Sequence, residues 1–305
     1  MGVDLFRTLC LFAALALLAI TASAAPDTSP IVAPGAHLEK IAGGYSFTEG
    51  PACDKRGDVY FTDQPNDRIH QWHAATGTVT LFKQGTGRAN GLCFDARGNL
   101  WTCSDAHNAL WRIAPDGKVT VVVVSYNGKR LNGPNDVWVR PDGGLYLTDP
   151  FYVRPYWDHT QKEQDTEGVY YLPPHSKTLT RVIGDFVQPN GLIGTPDGKR
   201  LYVADIGANK TYSYAVAPNG SLTNKHLFCL LGSDGMTLDS AGNVYLTGHG
   251  ITVFNKLGTQ IQQIPVPEDW TGNLCFGGAG RKTLFITASH SVYTLRMRVY
   301  SVGSQ

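Results

Sequence analysis

The chain has 305 residues, with 26 Lys and Arg against 25 Asp and Glu and a formal charge of +1 at pH 7. That balance, with no basic block anywhere, excludes electrostatic grounds for a nucleic-acid partner. The length allows one closed domain with a sizeable core or two ordinary domains.

The first residues, MGVDLFRTLCLFAALALLAITASA, place Arg7 in a short head, follow it with an apolar run from Leu9 to Ile20, and finish on Ala22, Ser23 and Ala24. This is the layout of a secretory signal over residues 1–24, too short in its apolar part for a stable membrane span. The mature chain then begins near Ala25, is secreted or periplasmic, and holds no further apolar run of membrane length. Cleavage removes Asp4 and Arg7 together, so the charge stays at +1. Five cysteines remain, Cys53, Cys93, Cys103, Cys229 and Cys275. Cys93 and Cys103 lie on two arms of one hairpin and are the candidates for a disulfide, while Cys93 and Cys275 at inner-strand positions also suit buried free thiols.

From Glu49 onward one pattern is written six times at roughly 40 to 55 residue intervals. A carboxylate or amide leads into an apolar stretch, a polar turn with Gly, and a second apolar strand. The copies are EGPACDKRGDVYFTD from Glu49, NGLCFDARGNLWTC from Asn90, NDVWVRPDGGLYLTD from Asn135, NGLIGTPDGKRLYVAD from Asn190, DGMTLDSAGNVYLTG from Asp234 and NLCFGGAGRKTLFITA from Asn273. Apolar letters alternate (Val59, Phe61; Leu145, Leu147; Val244, Leu246), which is strand periodicity, and a repeat of this length built from short strands is a propeller blade. The spacing predicts one domain over residues 25–305: an all-β, six-bladed β-propeller with four-stranded blades around a central channel. HLEKIAGGYSF, ahead of the first copy, is expected to supply a strand that closes the ring against the last blade.

In a propeller the innermost strands line the channel, so the residue before each one faces a common mouth. Glu49, Asn90, Asn135, Asn190, Asp234 and Asn273 are therefore expected to form a ring of hard oxygen donors. Such donors suit Ca²⁺, which takes about 6 to 8 oxygens. Taken singly, each polar residue could equally be a turn or cap residue; the same offset being polar in all six copies favours a site.

Other positions read as structural. Asp63, Asp149 and Asp205 end second strands, where a carboxylate caps neighbouring turns, a second cation site being the alternative. His249 and His290 read as hydrogen-bonded structural residues. The segment from Phe151 to Gly168 is an insertion whose Tyr152, Tyr156 and Trp157 either cover the mouth or pack the insertion onto the propeller. There is no G-x-S-x-G, H-E-x-x-H, Walker, EF-hand or C-x-x-C sequence, and the Gly-rich stretch at Gly85 leads into a strand rather than a helix.

FTEGPACD, PNDRI, RANGLCFDARGNL, GKRLNGPNDVWVRPDGGLYLTDP, QPNGL, DGMTLDSAGNVYLTG and CFGG, in this order over nearly the whole mature chain, resemble the gluconolactonase/regucalcin family of calcium-dependent six-bladed propellers. The resemblance implies a lactone hydrolase with Glu49, Asn135, Asn190 and Asp234 as ligands of a divalent ion, Ca²⁺ or else Zn²⁺, Mg²⁺ or Mn²⁺. It implies Arg88 and Asn90 as substrate contacts and Asp234 as catalytic base or nucleophile. The expected partner is a small-molecule lactone, foremost a sugar lactone. An aryl ester or organophosphate substrate on the same site, and a propeller that binds a ligand without catalysis, remain as alternatives. SDAHNALWRI after WTC departs from the family pattern and bears on the substrate.

Overall fold

The computed structural model describes residues 31–301, so the segment read as a secretory signal lies outside the described residues. Six four-stranded antiparallel sheets follow one another along the chain, each ordered from an inner to an outer strand. The inner strands are Thr48–Cys53, Ala89–Phe94, Val137–Val139, Pro189–Gly194, Met236–Leu238 and Thr271–Gly277, which number the blades one to six. Helix among the described residues is confined to three short 3-10 turns, and none is long and apolar enough to cross a membrane. The six repeats are thus the six blades of a β-propeller.

The ring closes as the sequence predicts. Glu39–Gly43 pairs antiparallel with Ser291–Arg296 as the outermost strand of blade six, with Glu39 opposite Thr294 and Gly43 opposite Ser291. The start of the described chain is thereby hydrogen-bonded to its end, so blade six cannot form until both are present.

Second strands are buried on both faces because neighbouring blades pack against each side. Val59–Asp63 and Leu145–Asp149 are buried at every position. Their apolar residues face one neighbour and their tyrosines the other; Tyr146 donates to the Gly220 carbonyl of the next blade at 2.8 Å, and Tyr245 to Asp239 Oδ2 of its own blade at 2.8 Å. A buried phenol without such a partner would cost stability. The core is accordingly a set of inter-blade clusters, such as Phe61, Trp72, Cys275 and Phe285 between blades one and six.

The five described cysteines are buried free thiols. The strand register explains why Cys93 and Cys103 do not pair: Trp101, not Cys103, stands opposite Cys93. Burial pushes the Cys93 thiol up to about 12.

Candidate metal centre and active-site cavity

At the start of the inner strands the ladder is interrupted. Register shifts fall between Glu49 and Ala52, Ala89 and Leu92, Pro189 and Leu192, and Thr271 and Asn273. In blades three and five the strand begins only at Val137 and Met236, two residues after Asn135 and Asp234. Four of the six expected positions therefore lie inside a strand, at a bulge, rather than before it. A bulge turns backbone and side chain away from the ladder, here toward the channel.

In blades three, five and six a threonine of the second strand holds the backbone at this turn. Thr148 Oγ1 accepts from Asp136 N at 3.1 Å, Thr247 Oγ1 from Gly235 N at 2.7 Å, and Thr287 Oγ1 from Asn273 N at 3.1 Å. These bonds define equivalent positions, and they correct one expectation: Asn273 matches Asp136 and Gly235, so the ring position of blade six is Gly272. Blade six differs from the others for a steric reason. A Cβ on Gly272 would stand 2.8 Å from Glu49 Oε1, so blade six leaves its place to the Glu49 carboxylate.

The remaining five ring residues, Glu49, Asn90, Asn135, Asn190 and Asp234, line one cavity of about 330 Å³ together with Phe47, Tyr152, Arg154, Gln188, Ile206 and Trp270. Its size is that of a small-molecule site. Close approach of the blades makes the ring tight. A Cβ on Gly50 would lie 2.1 Å from the Asn90 carbonyl oxygen, and one on Gly91 2.6 Å from that of Asn135.

Each carboxylate has a dedicated partner. Glu49 Oε2 accepts from Gly50 N at 2.7 Å and from Asn273 Nδ2 at 3.2 Å. Asp234 Oδ2 accepts from Trp270 Nε1 at 2.6 Å. Even so, burial, reinforced by the Asp234 charge, holds the Glu49 carboxyl well above the usual range. Burial likewise pushes Asp234 up to about 6. Beneath the ring, Asp136 is raised to about 7 by burial, where Val137 N and Leu192 N donate to it at 2.9 and 3.4 Å. It borders, with Asn273 and Gly50, a void of about 20 Å³, room for one water.

Asn190 donates through Nδ2 to Tyr152 Oη at 3.0 Å, while its Oδ1 is buried and has no hydrogen-bond partner. A buried carbonyl oxygen without a donor is costly unless something positive completes it. Among the described residues no three His, Cys, Asp or Glu side chains cluster, so two carboxylates and amide oxygens make up the available donor set. That set fits a hard cation, with all-oxygen ligation, better than zinc.

The insertion divides its aromatics between the two roles foreseen for them. Tyr152 reaches the cavity. Tyr156 and Trp157 instead fasten the insertion: Tyr156 Oη donates to Asp105 Oδ2 at 2.7 Å, and Trp157 Nε1 to the Asp105 carbonyl at 2.8 Å. Asp105, buried, also receives Gln64 Nε2 at 2.5 Å and pairs with Arg154 Nε at 2.8 Å. Arg154 thus stands at the cavity wall, 5.5 Å over the Tyr152 ring. Arg88 lies outside the lining; its guanidinium bonds to the Pro65 carbonyl and sits 4.2 Å over the Tyr156 ring. Arg154 and Trp270 were not picked out by sequence, since both come from loops outside the repeat.

Asp63, Asp149 and Asp205 are caps. Asp63 Oδ1 accepts from Ser46 N at 3.0 Å, Asp149 from Asn132 N and Gly133 N at 2.9 and 2.8 Å, and Asp205 from Val187 N and Gln188 N at 3.0 and 2.9 Å. Each ties the segment leading into the inner strand to the end of the second. His290 bonds to the Tyr45 carbonyl at 3.0 Å, and His249 packs edge-on against Trp270.

Comparison with known proteins agrees with this geometry. The SMP-30/Gluconolactonase/LRE-like region matches residues 47–290. A gluconolactonase of Zymomonas mobilis is 30% identical, over 90% of this chain and 85% of its own. The structure of a gluconolactonase from Xanthomonas campestris superposes with a TM-score of 0.80 at 29% identity, covering 88% of this chain and 94% of that one. Regucalcin from Agrobacterium tumefaciens, described as a calcium-binding protein, superposes at 0.75 over 88% of this chain and 96% of its own, and at 19% identity speaks for the fold alone. The chain belongs to the SMP-30/gluconolactonase/LRE-like family.

Proposed function

We propose that this protein hydrolyses a sugar lactone, of the glucono-δ-lactone kind, with a divalent cation held by Glu49, Asn135, Asn190 and Asp234. Lactone hydrolysis follows from the family and from relatives named as gluconolactonases and lactonases. The cation reading rests above all on the buried, unpartnered Oδ1 of Asn190 beside two carboxylates whose ionisation the bare protein disfavours. Ca²⁺ is the first candidate because every donor is oxygen. When bound, such an ion supplies positive charge for the oxyanion that develops as the lactone carbonyl is attacked.

The chain's own groups do the rest. Trp270 fixes Oδ2 of Asp234. Asp234 takes a proton from the water that attacks the carbonyl carbon; the carbon to ring-oxygen bond then breaks, and the proton passes to the departing alkoxide, giving the open hydroxy acid. Attack by the carboxylate itself, through an acyl-enzyme later opened by water, is the second route. Arg154 and Asn90 offer hydrogen bonds to substrate hydroxyls. Arg154 is neutralised by Asp105, so it acts as an oriented donor rather than as a free charge.

An aryl ester or organophosphate would call for an apolar aromatic wall. Tyr152 and Trp270 are both turned to polar work on Asn190 and Asp234, which leaves Phe47 and Ile206 as the apolar wall beside Gln188, Asn90 and Arg154 and favours a hydroxylated substrate. Hydrolysis of glucono-δ-lactone set against phenyl acetate at equal concentration tests the choice. A preference for phenyl acetate overturns it. The secretory layout of residues 1–24 supports a secreted or periplasmic location, tested by fractionating cells that produce the full chain.

A further inference from the structure

The opposite face of the propeller carries a second cavity, of about 580 Å³, set between blades one and two. It is lined by the turn that follows the inner strand of each blade, through residues 54–56 of one and Asp95, Ala96 and Gly98 of the other, whereas the catalytic cavity is lined by residues at the start of those strands. Five residues separate Glu49 from Asp54, so at roughly 3.3 Å per residue the two cavities lie about 15 Å apart along the channel wall.

Its floor is aromatic and aliphatic. The Tyr60 ring meets Phe82 edge-on at 4.9 Å and Phe94 at 5.1 Å, with Leu100, Ile113 and Pro115 beside them. Phe82 is more than a third exposed, a large apolar side chain offered to this space.

The polar groups at the rim are unequal. Two carboxylates line it, and both are already used. Asp54 accepts from Arg56 N, Asp58 N and Arg56 Nε, and Asp95 from Arg97 N, Asn99 N, Asn99 Nδ2 and Trp101 Nε1. Of the cations that line it, Arg56 is paired with Asp54 and Asp58, but Arg281 and Lys55 are not paired with a carboxylate. Arg281 gives Nη2 to the Asp54 carbonyl at 3.3 Å, while its Nη1 is buried with no hydrogen-bond partner among the described residues. Lys55 spends one N–H on the Ala96 carbonyl at 2.7 Å, a bond that also bridges the two blades across the cavity. Spare donors over an apolar floor, with both carboxylates engaged by neighbouring donors, suit a ligand that is apolar at one end and anionic at the other.

We propose that this cleft is a second binding site, for an arylalkyl carboxylate whose ring lies on Tyr60, Phe82 and Phe94 and whose carboxylate is met by Arg281 and Lys55. The sugar acids formed at the catalytic cavity are too polar for this floor, so the ligand is a different molecule from the product.

Calorimetric titration of the purified mature chain with 3-phenylpropionate tests the site, with 3-phenylpropanamide as the neutral isostere. Saturable binding of the acid at one equivalent, weakened about tenfold or more in the amide and in Arg281→Gln, is expected from loss of a charge-assisted bond. Phe82→Ser, an exposed change that leaves the fold intact, weakens the acid as well, and glucono-δ-lactone turnover stays unchanged in both variants. Absence of saturable heat up to millimolar acid, equal affinity for acid and amide, or binding indifferent to Phe82→Ser would each overturn it.

Discussion

Asn273 Nδ2 donates to Glu49 Oε2 at 3.2 Å across the seam where blade six meets blade one. The residue before Asn273 is the glycine that gives Glu49 its space, so one dipeptide both admits the carboxylate and orients it. Asn273→Leu keeps the volume and removes the donor. We expect divalent-cation affinity, measured by calorimetry, to fall about 10-fold or more, as for other groups that orient a ligand, with the melting temperature of the metal-free protein little changed. Unaltered affinity would mean that the contact is only structural.

Trp270 fixes Asp234 through a 2.6 Å bond to its Oδ2. Trp270→Phe removes a donor that favours the charged carboxylate, so the Asp234 pKa rises. The acid limb of kcat/KM should move to higher pH and kcat should fall about tenfold or more. An acid limb that stays in place would separate Asp234 from the titration that controls activity.

The raised carboxyls set the pH dependence of the metal-free protein. Asp234 at about 6 and Asp136 and Asp149 at about 7 all stand above the ordinary value of 3.8. A carboxyl whose folded value is raised lends stability that is full below about pH 4 and is lost as pH climbs through the folded value. Melting temperature in EDTA should therefore decline between pH 5 and 8 relative to the protein with Ca²⁺, because a bound cation favours the ionised forms. Calcium affinity should rise over the same interval as binding ceases to release protons. Parallel melting curves with and without Ca²⁺ would contradict this.

Asp105 gathers Gln64, Tyr156 and Arg154 on one side chain. Asp105→Ala strands these donors and should loosen residues 151–165 while the six blades stay formed. Hydrogen exchange should quicken in that segment, and KM should rise severalfold through misplaced Arg154 and Tyr152. Protection equal to the parent protein would show that the insertion is held elsewhere.

The blades approach too closely for any side chain at Gly50, where φ is +38° and a Cβ would meet the Asn90 carbonyl at 2.1 Å. Gly50→Ala should cost on the order of 3 kcal/mol or more, read from denaturant unfolding, since backbone must move to relieve it. A loss under about 1 kcal/mol would show that the ring is more pliant than its packing suggests.

Blade number, closure by the segment around Glu39, and the ring positions at Glu49, Asn90, Asn135, Asn190 and Asp234 were legible because each repeats at a fixed offset from an alternating apolar strand. Blade six was misread by one residue. Asn before Leu at 273 looks like Asn before Gly at 90, and only the partner threonine, Thr287, reveals that Asn273 stands where Gly91 does. Counting back from that threonine does not find it either, because Gly272 lies 15 residues before Thr287 (287 − 272), whereas Asn135 and Asp234 each lie 13 before Thr148 and Thr247 (148 − 135, 247 − 234). Tyr152, Arg154 and Trp270 could not be read in this way, because they enter from loops that no other blade repeats and are placed by tertiary bonds to Asn190, Asp105 and Asp234. The same limit applied to Arg88, whose loop turns its guanidinium to Pro65 and Tyr156.

The proposed activity is that of a cation-dependent lactonase centred on Asp234. Its most direct test is pH-stat hydrolysis of glucono-δ-lactone by the purified mature chain with Ca²⁺, with EDTA, with Ca²⁺ restored, and with Asp234→Ala. Turnover that EDTA abolishes, Ca²⁺ restores and the substitution removes is the predicted result. Turnover above the spontaneous rate that survives both EDTA and Asp234→Ala would contradict it.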